Sequence, residues 1–385
     1  MSALARKHNR NAIRAALKTL PDGLDAVYDD VMNRIASQND EDARKLAKTT
    51  LLWIAYTRQR LTGQQLQYAV AIDLESTELG EDDLADLDHL ISLCCGIVTL
   101  DRESKTIKLV HYTTQDFLER KQADLFPDAH EMIASACLKY INLVSRGRVN
   151  RSRFDEMNDD GDTEGDNYLE TDDEAEIDAK RECDEDTEGL YVNEPGRTES
   201  MGKLCDEPEL DGCGPLFSYA VFYFDTHARH CETSPTFQEC VMNFLKNEDN
   251  RALFLRSWLL ENDWGHKIRA ARAPGGDNPA LCIAAVCGLQ LITQKLIASG
   301  ASVSARSFLS GWTPLHCAAA SPCQEISGKL LRAGARIDDR TDKSKNTAHL
   351  AGNVQVFGIL VESGADVNSV TNRGDTALHN RGMWK

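Results

Sequence analysis

Apolar residues recur at helical spacing through the first third of the chain. Leu24, Val27, Tyr28, Val31 and Ile35 follow the turn Pro21-Asp22-Gly23, and Leu46, Leu51, Leu52, Ile54 and Ala55 form a second, almost wholly apolar segment. Intervals of three and four residues place such side chains on one helix face. Thr62 with Gln65 three positions later is a reciprocal capping signature, and the helix it opens buries Leu66, Ala69 and Val70. Leu84, Leu87, Leu90 and Ile91 mark another helix. The pattern then changes: residues 96–111 read as strand, polar turn and strand, and a short helix runs from Thr113 or Thr114 through Phe117 and Leu118. Residues 214–272 are apolar and helical again.

Toward the end a phrase recurs. "NPALCIAAVCG", "GWTPLHCAAA", "NTAHLAG" and "DTALHN" align on Pro279, Thr313, Thr347 and Thr376, at steps of 34, 34 and 29, while Gly300, Gly334 and Gly364 follow at 34 and 30. Each residue type has a physical reason. Thr313 caps a helix, Pro314 suits a first helical position that needs no N–H, and Leu315 faces the core. Ala318, Ala319 and Ala320 keep the helix slim for close stacking. Gly334, just after Leu330 and Leu331, is placed to end the outer helix in a left-handed conformation, as are Gly300 and Gly364. His316 ties neighbouring turns by hydrogen bonds rather than catalysing a reaction. Periods near 33 with this phrase resemble ankyrin repeats, each a turn and two antiparallel helices. Aligned on Thr347, the third repeat is four residues short and lacks the Leu of the phrase, so its inner helix should lose about a turn; the fourth has no outer helix.

The formal charge of −18 is local: residues 155–211 hold 24 acids against Lys180, Arg181, Arg197 and Lys203, and the remainder of the chain is close to neutral. High charge with few apolar residues predicts a disordered acidic linker. The twelve cysteines read as reduced and intracellular, since Cys282, Cys287 and Cys317 occupy repeat helices where a small hydrophobe is wanted. The densest apolar run, "PLFSYAVFYF", is far below the ~20 residues that span a bilayer, so no membrane association is expected.

The phrases "LPDGLDAVYDDVMNRI", "LLWIAYTRQRLTGQQLQYAVAI", "LISLCCGIVTL" and "LVHYTTQDFL" resemble the winged helix, labelled after the GPI inositol-deacylase, that follows the NACHT nucleotide-binding module in fungal STAND-type proteins. Many of these continue into ankyrin repeats. The resemblance implies a C-terminal portion of such a protein, either a truncated paralogue or a fragment. No G-x-x-x-x-G-K-[ST] loop and no G-x-S-x-G elbow occurs, so neither NTPase nor esterase chemistry is carried over.

The expected architecture is mainly α. Residues 1–40 resemble the end of a NACHT module, 41–150 a winged helix, 151–212 the acidic linker, 213–275 a helical spacer in which Trp258, Leu259 and Trp264 pack onto the first repeat, and 276–385 about three ankyrin repeats. The expected function is a non-enzymatic intracellular scaffold, cytoplasmic with a nuclear location left open, without cofactor or metal. Its partner-binding residues are placed on the hairpin tips: Arg306, Phe308, Leu309 and Trp312, then Arg340, Lys343 and Lys345, and Arg373. Phe308 either anchors a partner or folds back on Trp312. A docking role on a NACHT relative and DNA binding by the winged helix are the alternatives. The helix "GQQLQYAVAI" holds no Lys or Arg, which argues against nucleic acid. "HARHC" with Cys240 gives a single zinc-like ligand pair where two are usual, and His111 with Asp116 and Cys94 or Cys95 is explained by packing.

Overall fold

A computed structural model describes residues 24–72, 75–147, 213–259, 279–307, 311–321 and 323–379. The acidic linker, Trp264, Phe308 and Leu309 lie outside them. The described residues fall into two units, one of residues up to 148 with Cys213–Phe244, the other from Leu245 onward.

In the first unit, α1 (Leu24–Ala36) buries Val31 and Ile35, and α2 (Glu41–Tyr56), capped by Asp40, is buried over Leu51, Leu52, Trp53 and Ala55. Helix α3 (Gly63–Ala71) starts on the predicted box: Gln65 N–H donates to Thr62 Oγ1 at 3.2 Å and Thr62 N–H to Gln65 Oε1 at 3.0 Å. The next helix, α4 (Leu87–Leu93), begins later than the spacing suggests, because Asp86 accepts from His89 N–H and sets the N-terminus there. Leu84 instead ends a single 3₁₀ turn. Strands β1 (Val98–Asp101) and β2 (Thr106–Leu109) pair antiparallel, Val98 opposite Leu109, and Ile107 N–H reaches back to the Leu61 carbonyl at 2.8 Å. This is the wing. Helix α5 (Tyr112–Arg120), capped by His111, buries Phe117 and Leu118. Tyr28 of α1 packs on Phe117 and bonds Thr113 Oγ1 at 2.6 Å, so α1 belongs to the winged-helix body rather than to a separate segment. A short α6 (Gln122–Leu125) leads to α7 (Ala129–Ser145).

Across the linker, α8 (Phe217–Cys231) lies along α7, and α9 (Pro235–Lys246) follows. Ala134, Cys137, Ala220 and Ala228 are small enough for close approach, and around them Tyr219 packs on Trp53 at 5.8 Å. Glu131 of α7 accepts from Ser234 and Thr236 at the start of α9. Residues 213–275 are therefore not one spacer: the part through Phe244 completes the winged-helix body, where its apolar face finds cover.

In the second unit, α10 (Glu248–Leu259) precedes α11 (Ala280–Val286) and α12 (Gln290–Ala298) of the first repeat, α13 (Pro314–Ala320) and α14 (Gln324–Arg332) of the second, and a 3₁₀ turn (Thr347–Leu350) with α15 (Val354–Glu362) of the third. Trp258 of α10 meets Trp312 edge-on at 6.1 Å. The three outer helices end identically. Gly300, Gly334 and Gly364 have φ of 85°, 93° and 94°. The following Ala301, Ala335 and Ala365 N–H groups return to Leu296, Leu330 and Leu360, which is the Schellman pattern.

The third repeat shifts the frame by one residue. Asn346, not Thr347, is the N-cap, and Ala348 takes the place of Leu315. Three residues are lost rather than four. The shortening itself is as expected, with four 3₁₀ residues standing where α13 has seven. Gly352 makes the tight passage possible: its N–H donates to the Ala319 carbonyl at 2.8 Å, and a Cβ there would sit 3.1 Å from the Ala320 carbonyl oxygen.

Candidate functional site

The recurring histidine is a capping partner. Thr313 N–H donates to His316 Nδ1 at 3.1 Å, Asn346 N–H to His349 Nδ1 at 3.2 Å and Thr376 N–H to His379 Nδ1 at 3.2 Å. An Nδ1 that accepts leaves the proton on Nε2. His349 Nε2 accordingly donates to the Asp375 carbonyl at 3.1 Å, tying the third repeat to the fourth phrase. Burial holds His316 neutral, with its pKa lowered to about 4. Thr313, Pro314, Leu315 and His316 are all buried; they build the stack and offer nothing to a ligand.

The hairpin tips are laced together by arginine. Arg306 Nη2 donates to the Arg340 carbonyl at 2.7 Å and lies 3.5 Å from Asp342. Arg340 in turn donates to the Ser344 and Val370 carbonyls at 3.3 and 3.2 Å and to Ser369 Oγ at 2.5 Å. Asn372 N–H meets the Lys343 carbonyl. Arg306 and Arg340, expected as partner contacts, thus spend guanidinium donors on the next tip. Trp312 is only 3% exposed and packs on Trp258, so it is not a surface residue. Lys343 and Arg373 are exposed and Lys345 is half-buried.

In the first unit, His227 is fully buried between two partners, His130 Nδ1 at 2.9 Å from its Nδ1 and Tyr219 Oη at 2.8 Å from its Nε2. Arg58 N–H donates to Tyr219 Oη at 3.3 Å, the Arg58 guanidinium stands 3.4 Å from His230 Nε2, and His230 stacks on His130. The assignment that uses every proton runs Arg58 N–H to Tyr219, Tyr219 O–H to His227 Nε2, and His227 Nδ1–H to His130. Burial lowers His227 to about 3 and His130 to about 4, with the neighbouring imidazoles and Arg58 adding to it. In "HARHC", His227 faces His130 of the neighbouring helix α7. Both His227 nitrogens are engaged, and Cys231 Sγ donates to backbone carbonyls of its own helix. Among the described residues no three His, Cys, Asp or Glu side chains are grouped to hold a metal.

His111 caps α5 by accepting from Thr113 N–H, and the Cys94 thiol donates to the Leu90 carbonyl with its pKa pushed up to about 12 by burial. Neither is poised as base or nucleophile. On α3, Gln65 donates to the Pro215 carbonyl and Gln67 to the Ala85 carbonyl, so amides a groove-reading helix would present are used internally. The histidine chain and the place of α8 were not predicted, because their partners lie about a hundred residues apart and no local pattern joins them.

These geometries fit what is found in known proteins. The family model of the GPI inositol-deacylase winged helix domain matches residues 34–128. An ankyrin repeat matches residues 310–342. The chain is also similar to the E3 ubiquitin-protein ligase KEG of Arabidopsis thaliana, 32% identical over 135 residues, covering 32% of this chain and 8% of the ligase. It thus spans less than a tenth of that relative's length. The ankyrin repeat supports a protein-interaction role in general. No described helix is long and apolar enough to cross a membrane.

Proposed function

We propose that this protein is a non-enzymatic scaffold of the cytoplasm whose ankyrin tips bind a protein partner, and that it derives from fungal NACHT or STAND-type receptors. The observation that carries the reading is the arginine lacing from Arg306 through Arg340 to Val370, which holds successive tips in one register. A pre-ordered surface loses less entropy on binding. On it Lys343 and Arg373 remain exposed. The likeness to a small part of a ubiquitin ligase is read as a shared binding element, not as ligase activity. Proximity labelling with the full chain tests this: Lys343→Glu with Arg373→Glu should remove specific partners while the melting temperature stays within 2 °C of wild type (about 0.5 kcal/mol or less). An unchanged partner set would place the binding face elsewhere.

A second reading rests on a different surface. Tyr112 is 72% exposed and Leu24 60%, both on the winged-helix body, and large apolar side chains left in water suit docking on a NACHT-bearing relative. Tyr112→Asp should then abolish co-elution with such a relative; co-elution that survives the change rules this surface out. DNA recognition is not retained, since α3 carries no cation and its Gln65 and Gln67 are engaged.

A further inference from the structure

Three nitrogen-bearing side chains meet on the winged-helix body with no acid among the described residues set against them. Arg58 stands in the turn after α2, His130 in the first turn of α7 and His230 near the end of α8. The Arg58 guanidinium lies 3.4 Å from His230 Nε2, and His230 stacks on His130 with ring centroids 4.3 Å apart and planes 19° apart. Arg58 and His230 are exposed and His130 is half-buried. The group is held from inside the body: Arg58 N–H donates to Tyr219 Oη, Tyr219 is bonded to the buried His227, and His227 holds His130. Because His130 Nδ1 accepts from His227, its proton sits on Nε2, for which the described residues offer no acceptor.

The charges around this group are unbalanced. Among the described residues Arg58 is paired with no carboxylate, and its guanidinium meets only a neutral imidazole. Burial first, then the positive neighbours His230 and Arg58, lower His130 to about 4, and His230 is lowered by burial with Arg58 and Arg229 adding to it. The acids close by in sequence are turned elsewhere: Glu131 accepts from Ser234 and Thr236, and Asp225 is bonded to Arg229 at 2.7 Å. Asp128, the N-cap of α7, makes no side-chain cap bond, so the positive end of that helix adds to the field at His130.

An anion that answers all three side chains needs more than two acceptors. A carboxylate would satisfy the guanidinium fork alone. A phosphate group carries about two negative charges and three strong acceptor oxygens, enough for Arg58, His130 Nε2–H and a protonated His230 together. We infer that Arg58, His130 and His230 form a phosphate-binding site on the winged-helix body, open to inorganic phosphate or to a phosphorylated serine of a peptide. It draws on no residue of the ankyrin repeats.

Ring nitrogen-15 NMR on the full chain between pH 8 and pH 5.5, in inorganic phosphate and in chloride at equal ionic strength, tests this. Phosphate should raise the titration midpoint of His230 by about one unit, since an opposite charge beside an imidazole favours its protonated form, and should shift the His130 Nε2 resonance. Arg58→Gln should weaken phosphate binding about tenfold, the loss expected of a charge-assisted bond. The same shifts in chloride would reduce the effect to ionic screening and overturn the site, as would phosphate shifts that survive in Arg58→Gln. If Arg58→Gln lowers the melting temperature, His230→Gln, at an exposed position, should show the same loss of affinity, and unchanged affinity there overturns the inference. An Ala-phosphoserine-Ala peptide that binds as tightly as inorganic phosphate assigns the site to phosphorylated segments; a peptide that fails to bind where inorganic phosphate does assigns it to the free ion.

Discussion

Mild acid should weaken the winged-helix body well before its carboxylates are protonated. His227 and His130 are held neutral with pKa values lowered to about 3 and about 4, chiefly by burial, whereas an imidazole in the unfolded chain titrates near 6.5. Below pH ~6.5 the unfolded state therefore binds protons that the folded state refuses. The stability that the neutral pair contributes is fully present above that value and is lost as pH falls toward the folded pKa. For the enclosed His227 the slope is about 1.4 kcal/mol per pH unit; half-exposed His130 adds less because solvent screens it. Equilibrium urea unfolding between pH 7.5 and 4.5, read by pulse exchange at fixed pH on peptides of α2 and α8, measures the effect. His227→Gln keeps a hydrogen-bonding side chain and removes the titration, so its stability should fall at neutral pH and its pH slope should flatten by about one proton. A variant with the wild-type slope would show that the histidine chain does not govern acid sensitivity.

Cutting the acidic connector should leave the two pieces of the protein together. A disordered acidic linker, as its charge predicts, would be cut first and would let two separate domains part. The structure requires otherwise, because α8 and α9 belong to the winged-helix body. Leu216, Phe217, Val221 and Phe224 are buried there, worth about 6–12 kcal/mol at ~1.5–3 for each side chain. Phe237, Val241 and Phe244 of α9 add to that. With these the seven side chains come to about 10–21 kcal/mol, above most of the roughly 4–15 kcal/mol that association of separate pieces costs in lost motion, so the pieces should remain associated. Chain cleavage engineered within residues 155–211, followed by size exclusion, should give one peak containing both pieces. Two folded pieces eluting apart would refute the assignment. Tyr219→Ala in the cut protein should promote separation, because it removes the packing on Trp53 and the bond from Arg58.

What the sequence by itself determined is local. The capping pair Thr62 and Gln65, the glycines that end each outer helix and the Thr-Pro-Leu-His phrase need only neighbours within a turn or two, and short-range backbone geometry allows few alternatives. The hairpin of residues 96–111 and the apolar α2 were legible for the same reason. The third repeat was misread by one residue since Asn346 caps as well as Thr, and only the position of the next helix decides between them. Tertiary structure alone decided that α8 closes the winged-helix body, that His227 meets His130, and that Arg306 and Arg340 lace the tips. An apolar face or a guanidinium is indifferent to sequence distance: it settles wherever packing and hydrogen-bond acceptors offer the lowest free energy, and that choice exists only once the chain has folded.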